Sequence, residues 1–251
     1  MSNEHLVETR NITKCFGGLT AVDRVSFHVN AGEIVAVLGD NGAGKSTLIK
    51  MISGVHQPDG GEIYYNGRPT TIHSPMDALS MGIETIYQDL ALAENLNVYA
   101  NIFLGREKTR KSMGVFNVLD HQFMYDESRG ILKKLDIKIP SLRNSVRSLS
   151  GGQRQRVAIS RSIYWNAKLL IMDEPTAALG VAQQHQVLDL VKSLKDHGIG
   201  IIIISHQMRD VFAVADRIIV MRRGEKVGDL EKDQTSTDEV VNLIVGSETV
   251  V

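Results

Sequence analysis

One string of eight residues constrains this chain more than any other: Gly39-Asp40-Asn41-Gly42-Ala43-Gly44-Lys45-Ser46, which fits the pattern G-x-x-x-x-G-K-[ST]. It follows Glu33–Leu38, an apolar run that reads as a strand buried on both faces. It opens Ser46–Ile52, a helix with Leu48, Ile49 and Ile52 at apolar positions. Strand, glycine loop and helix in that order build a phosphate cradle. Glycines let the backbone come close to an anion, and the loop N–H groups join the positive end of the helix in facing it. Lys45 reaches the β- and γ-phosphates, the Ser46 hydroxyl is a magnesium ligand, and Gly39 to Thr47 together form the nucleotide pocket.

Buried strands recur late, at Leu169–Met172 and Ile201–Ile204. Between them Val181–His197 reads as an amphipathic helix, with Val187, Leu188, Val191 and Leu194 at helical spacing and Gly198 as its stop. Strands separated by helices predict an α/β fold with a mainly parallel sheet. The first third differs. Val25–Val29 alternates, Asp59-Gly60-Gly61 opens a hairpin into Glu62–Tyr65, and Asn66-Gly67 closes it, as in an antiparallel β subdomain. From about Asp89 to Trp165 the strand runs disappear, and the sequence reads as an inserted helical subdomain with a charged, turn-rich interruption at Glu107–Gly114. The expected organisation is one domain over 1–251. A β subdomain with the loop-bearing part of the core covers 1–88, the helical insertion 89–165, and the rest of the core 166–251. After Val220 there is room only for a short strand pair and a closing helix.

Composition narrows the function. The 28 basic and 29 acidic residues leave a net charge of -1, against a protein that coats nucleic acid. With Cys15 as the only cysteine, no intrachain disulfide forms. The apolar runs fall short of the roughly 18–20 residues that cross a bilayer. The first thirty residues lack the apolar stretch of a signal peptide, so a cytoplasmic location is expected.

Two further strings carry chemistry. Lys168–Glu174 is an apolar strand ending in adjacent carboxylates. At the carboxyl end of a parallel strand, this places an acid beside the phosphate loop of a neighbouring strand. Asp173 is then the magnesium partner, and Glu174 orients and polarises the attacking water. Leu149-Ser150-Gly151-Gly152-Gln153 is the more diagnostic string, a match expected by chance about once in a thousand such chains. Ser150 is a favourable N-cap, and the two glycines leave the next helix open to an anion at its N-terminus.

Together with the phosphate loop and Asp173-Glu174, this string closely resembles the ATP-binding cassette family of transporter ATPases, from about Val7 to Gly246. The resemblance implies a P-loop NTPase core that uses ATP and Mg2+. It implies that Phe16 stacks on adenine, that Gln88 touches the magnesium and the water, and that His206, after Ser205, contacts the γ-phosphate. It implies as well that Leu149–Gln153 face the ATP of an opposite subunit, so that two chains, or this chain and a related ATPase subunit, close head to tail on two ATP molecules. One position departs from the family: Thr176-Ala177-Ala178-Leu179-Gly180 ends in glycine where an aspartate is usual, although Gly180 still serves as N-cap to the helix at Val181.

Ser74–Ile83, Asn101–Arg106 and Glu174–Gly180 look closest to importers of monosaccharides such as ribose, xylose or fructose, and amino-acid importers share much of them. That resemblance implies an integral membrane permease, a solute-binding protein, and a place on the inner face of the cell membrane. The alternatives are a cassette serving another small solute and a soluble cassette ATPase of chromosomes or translation. The first soluble type carries a long coiled coil before the second string and the other carries two cassettes. A P-loop kinase would leave Leu149–Gln153 and Glu174 without a role. The apolar content of Asp89–Arg106 (Leu90, Leu92, Leu96, Val98, Tyr99, Ile102, Phe103 and Leu104) suggests a groove for a short permease helix, with Gln88 as hinge.

Overall fold

The computed structural model describes residues 5–112 and 116–246. In chain order the elements are β1 (Val7–Phe16), β2 (Leu19–Val29), β3 (Ile34–Leu38), α1 (Lys45–Ile52), β4 (Gly60–Tyr65), β5 (Arg68–Thr70), α2 (Pro75–Ser80) and β6 (Ile83–Ile86). Then come α3 (Val98–Ile102), β7 (Thr109–Ser112), β8 (Phe116–Leu119), α4 (His121–Lys134), α5 (Gly151–Tyr164) and β9 (Leu169–Asp173). The last are α6 (Val181–Asp196), β10 (Gly200–Ile204), α7 (Met208–Val214), β11 (Arg217–Arg222), β12 (Glu225–Glu231) and α8 (Thr237–Val245). They form two compact units. The first holds the residues up to Gln88, Lys168–Pro175 and those from Val191 on; the second holds Asp89–Ala167 and Thr176–Leu190.

The first unit contains two sheets. The six-stranded sheet has the order β12-β11-β3-β10-β9-β6, with every neighbouring pair from β11 to β6 parallel and β12 antiparallel at one edge. β3 and β10 are buried at every residue, which is why their sequences show no alternation. The other sheet, β2-β1-β4-β5, is antiparallel, and in β2 Val25, Phe27 and Val29 alternate inward. Its β4–β5 turn is Asn66-Gly67, with φ of 48° and 72°, the two left-handed residues that a type I′ two-residue hairpin needs. Gly198 ends α6 at φ 78°. β11 already spans Val220, so beyond it the chain adds only one further strand, β12, which pairs with β11, and the expected helix α8.

The second unit is helical, but not throughout. Between Asp89 and Arg106 only Val98–Ile102 is α-helix. A two-stranded hairpin, β7 paired with β8 from Thr109↔Leu119 to Ser112↔Phe116, has its first strand inside the turn-rich interruption and its second beyond it, where helix was expected; Gly114 lies outside the described residues. Every residue of β8 is exposed, so burial left no period-2 mark in the sequence. Of the eight apolar residues in Asp89–Arg106, Val98, Ile102 and Phe103 are buried, and Leu104 is exposed.

Candidate functional site

β3 delivers the glycine loop to the carboxyl edge of the parallel sheet, and α1 starts at Lys45. Two glycines there have no substitute. A Cβ on Gly39 (φ 149°) would lie 2.2 Å from the Met221 carbonyl oxygen, and one on Gly44 (φ 99°) 2.4 Å from that of Ala21. The Lys45 ammonium donates to the carbonyls of Gly39 (2.8 Å) and Asp40 (2.9 Å). Burial lowers its pKa, and the nearby carboxylates of Glu174 and Asp173 oppose that shift. The loop lines a cleft of about 540 Å³ that runs on to Phe16. Phe16 is 43% exposed, so it is not a core residue; its ring meets His56 edge-on at 5.2 Å.

The other sheet residues end on the same edge, because β3, β10, β9 and β6 are parallel. Asp173 ends β9 and Glu174 follows it, Ser205 and His206 follow β10, and the exposed Gln88 lies two residues beyond β6. The acid pair was expected on the strand next to the phosphate loop, and it is one strand further away. β10 lies between β3 and β9, so the His206 strand separates them. Asp173 is half-buried, which raises its pKa, and the neighbouring Glu174 raises it further. Glu174 has left-handed backbone (φ 51°), and its N–H donates to the Ile204 carbonyl at 2.8 Å. One carboxylate oxygen, Oε1, accepts from the His206 N–H (3.1 Å) and lies 2.7 Å from its Nδ1. The other, Oε2, is buried with no hydrogen-bond partner. A buried carboxylate oxygen left open in this way suits a bound water. The Glu174–His206 contact is a link the sequence did not reveal.

Leu149–Gln153 belongs to the second unit. Ser150 caps α5 by accepting from the Gln153 N–H (3.3 Å), while the Gln153 side chain accepts from the Ser150 N–H (2.9 Å). This is a complete capping box. Ser150 is exposed, whereas Leu149 is buried and anchors the turn. Cβ atoms on Gly151 and Gly152 would each come within 3.0 Å of a side chain, Leu179 and Gln183 respectively. Gly180 accepts the first N–H groups of α6, from Gln183 (2.9 Å) and Gln184 (3.0 Å), and a Cβ there would meet open space.

A family model described as ABC transporter matches residues 22–177. The chain belongs to that family. It is therefore an ATP-binding cassette and an ATPase. The cassette is 48% identical to the xylose/arabinose import ATP-binding protein of Sulfolobus acidocaldarius, over 95% of this chain and 93% of that one. It is 46% identical to the fructose import ATP-binding protein of Rhizobium meliloti, over 96% and 94%. A ribose import ATP-binding protein of Rubrobacter xylanophilus is 43% identical, but this cassette covers only 47% of its length. Among solved structures, a nucleotide-free ATP-binding cassette from an ABC transporter superposes with a TM-score of 0.82 at 27% identity, covering 98% of this chain and 97% of that one. Among the described residues, no helix of the cassette is long and apolar enough to cross a membrane. The cleft wall also contains Leu19, Thr20, Ala21 and Arg223, which no sequence motif marks.

Proposed function

We propose that this ATPase energises the import of a monosaccharide through a membrane permease, at the inner face of the membrane, as one of two cassettes that close head to tail on two ATP molecules. The observation that carries the catalytic part is Glu174, with one oxygen on His206 and the other buried and free to take a proton from water. Phe16 stacks on adenine, and the backbone from Gly39 to Thr47 and Lys45 hold the phosphates. Ser46, Asp173 and Gln88 would hold magnesium, an ion that takes oxygen ligands and keeps several waters beside the phosphates. When bound it neutralises charge on the β- and γ-phosphates. His206, tied to Glu174 by Nδ1, turns its other ring nitrogen toward the γ-phosphate. The capped N-terminus of α5, with Ser150, Gly151 and Gly152, meets the phosphate of the opposite chain.

The transport part is supported by relatives named for xylose/arabinose, fructose and ribose import. The test is uptake by proteoliposomes holding the permease, a solute-binding protein and this chain. ATP-dependent uptake of one pentose or hexose is expected. Uptake of an amino acid instead, or no copurification with any permease, would remove the sugar-import reading.

A further inference from the structure

The turn between β11 and β12 has the wrong residue for a turn and the right one for an anion. Arg222 pairs with Glu225, so the loop is Arg223-Gly224, with φ of 51° and 87°. This is the same two-residue, left-handed geometry as Asn66-Gly67 in the β4–β5 hairpin. At the first position asparagine is favoured, and a long side chain in left-handed backbone is disfavoured. The Asn66-Gly67 turn lies away from the cleft, and the Arg223-Gly224 turn borders it.

The turn is also fixed against the phosphate loop. The Gly224 N–H donates to the Ala43 carbonyl (3.1 Å), and the Gly224 carbonyl accepts from the Asp23 N–H (2.8 Å). A Cβ on Gly44 would lie 3.4 Å from the Gly224 Cα. Arg222, the preceding residue, is engaged with the Leu243 carbonyl (3.3 Å). Arg223 is exposed and lines the cleft together with Phe16, Leu19 and Lys45; the next residue, Gly224, bonds Ala43 of the phosphate loop and sits against Thr20 and Ala21. The described cleft lining contains the cations Lys45 and Arg223 and no carboxylate.

We propose that Arg223 is a further nucleotide-binding residue, whose guanidinium meets the phosphate nearest the ribose, the one ATP and ADP share. This rests on the reading that the cleft holds ATP. Lys45 and the loop N–H groups serve the outer phosphates. Arg223 then contributes equally to substrate and product affinity.

The test is calorimetric titration of the full chain with ADP and with the slowly hydrolysed analogue ATPγS, comparing wild type, Arg223→Asn and Arg223→Lys. Asparagine suits the turn, so Arg223→Asn should melt at or above the wild-type temperature without nucleotide. Its affinity for both ligands should fall by the same factor, on the order of tenfold, the loss expected for one charge-assisted hydrogen bond. Its dependence on salt should become shallower, and Arg223→Lys should fall between the two. Unchanged affinity in Arg223→Asn overturns the proposal. A loss confined to ATPγS also overturns it, and so does a loss matched by a lower melting temperature. If wild type binds neither ligand, the ATP reading of the cleft falls as well.

Discussion

Glu174 takes up left-handed backbone at a cost on the order of 1–3 kcal/mol, and its N–H is held by the Ile204 carbonyl. That backbone points one carboxylate oxygen to His206 and leaves the other buried and open. Glu174→Gln keeps the size and most of the hydrogen bonding but cannot take a proton. It should retain ATP and lose at least about 100-fold in turnover, read in a phosphate-release assay; unchanged hydrolysis would remove the role. Phe16→Ala removes a stacking face of about 1–3 kcal/mol, the value for base–aromatic stacking. ATP affinity should fall about tenfold by titration, and because the ring is exposed, the melting temperature should hardly move. At this scale the sequence was most informative. Lys45, Ser46, Asp173 and Ser150 were singled out by short spacings, and the structure puts Lys45 at the start of α1, Asp173 at the end of β9 and Ser150 at the cap of α5. The Glu174–His206 contact was hidden, since its partners lie on separate strands and no spacing encodes a strand order.

Several elements owe their shape to one side chain. Asn101 in α3 is fully buried. Its Oδ1 accepts from the Ala93 N–H (2.7 Å), and its amide donates to the carbonyls of Ala93 (3.0 Å), Leu96 (3.3 Å) and Asn97 (3.0 Å). The loop before α3 is thus hydrogen-bonded to one asparagine. Asn101→Ala should destabilise the chain by about 3 kcal/mol, because buried backbone groups lose their partners. Urea denaturation would show this, and a loss under 1 kcal/mol would mean that water replaces the amide. Gly180 gives the opposite expectation. With open space at its Cβ, Gly180→Asp should shift the melting temperature by less than about 2 °C. Elements with a buried face were legible in outline: β3, β9, β10 and α6 follow from apolar runs and helical spacing. The β7–β8 hairpin was not, because every residue of β8 is exposed and burial left no pattern there.

Across the whole first unit, a buried cation ties the two sheets together. Arg217 donates to Glu33 (2.8 Å), to Asp229 (2.7 Å) and to the His28 carbonyl. Burial would raise the pKa of Asp229, but hydrogen bonds from Lys226 and Arg217 outweigh it and leave the pKa below 3.8. A lowered carboxylate adds stability above its unfolded value that is lost as pH falls through the folded one. Arg217→Met should therefore cost about 3 kcal/mol near neutrality, the low end for a broken buried pair, since Asp229 is partly solvated. The deficit should shrink below about pH 3.8; a deficit independent of pH would mean that packing, not charge, carries the contact. For the assembly, Glu174→Gln with ATP should elute as a dimer in size-exclusion chromatography and as a monomer without it.

The position of β3 has a consequence for synthesis. Its two neighbours are β10 and β11, so the strand that carries the phosphate loop pairs Ile34 with Ile201 and Val35 with Arg217. While the chain is being made, β3 leaves the ribosome long before β10 and β11, the two strands it must pair with. Until they arrive, both of its edges and every one of its apolar side chains are open to other nascent chains. A chain stalled before Gly200 would hold the whole glycine loop with no sheet to present it, and chaperones would meet it as an unpaired hydrophobic strand.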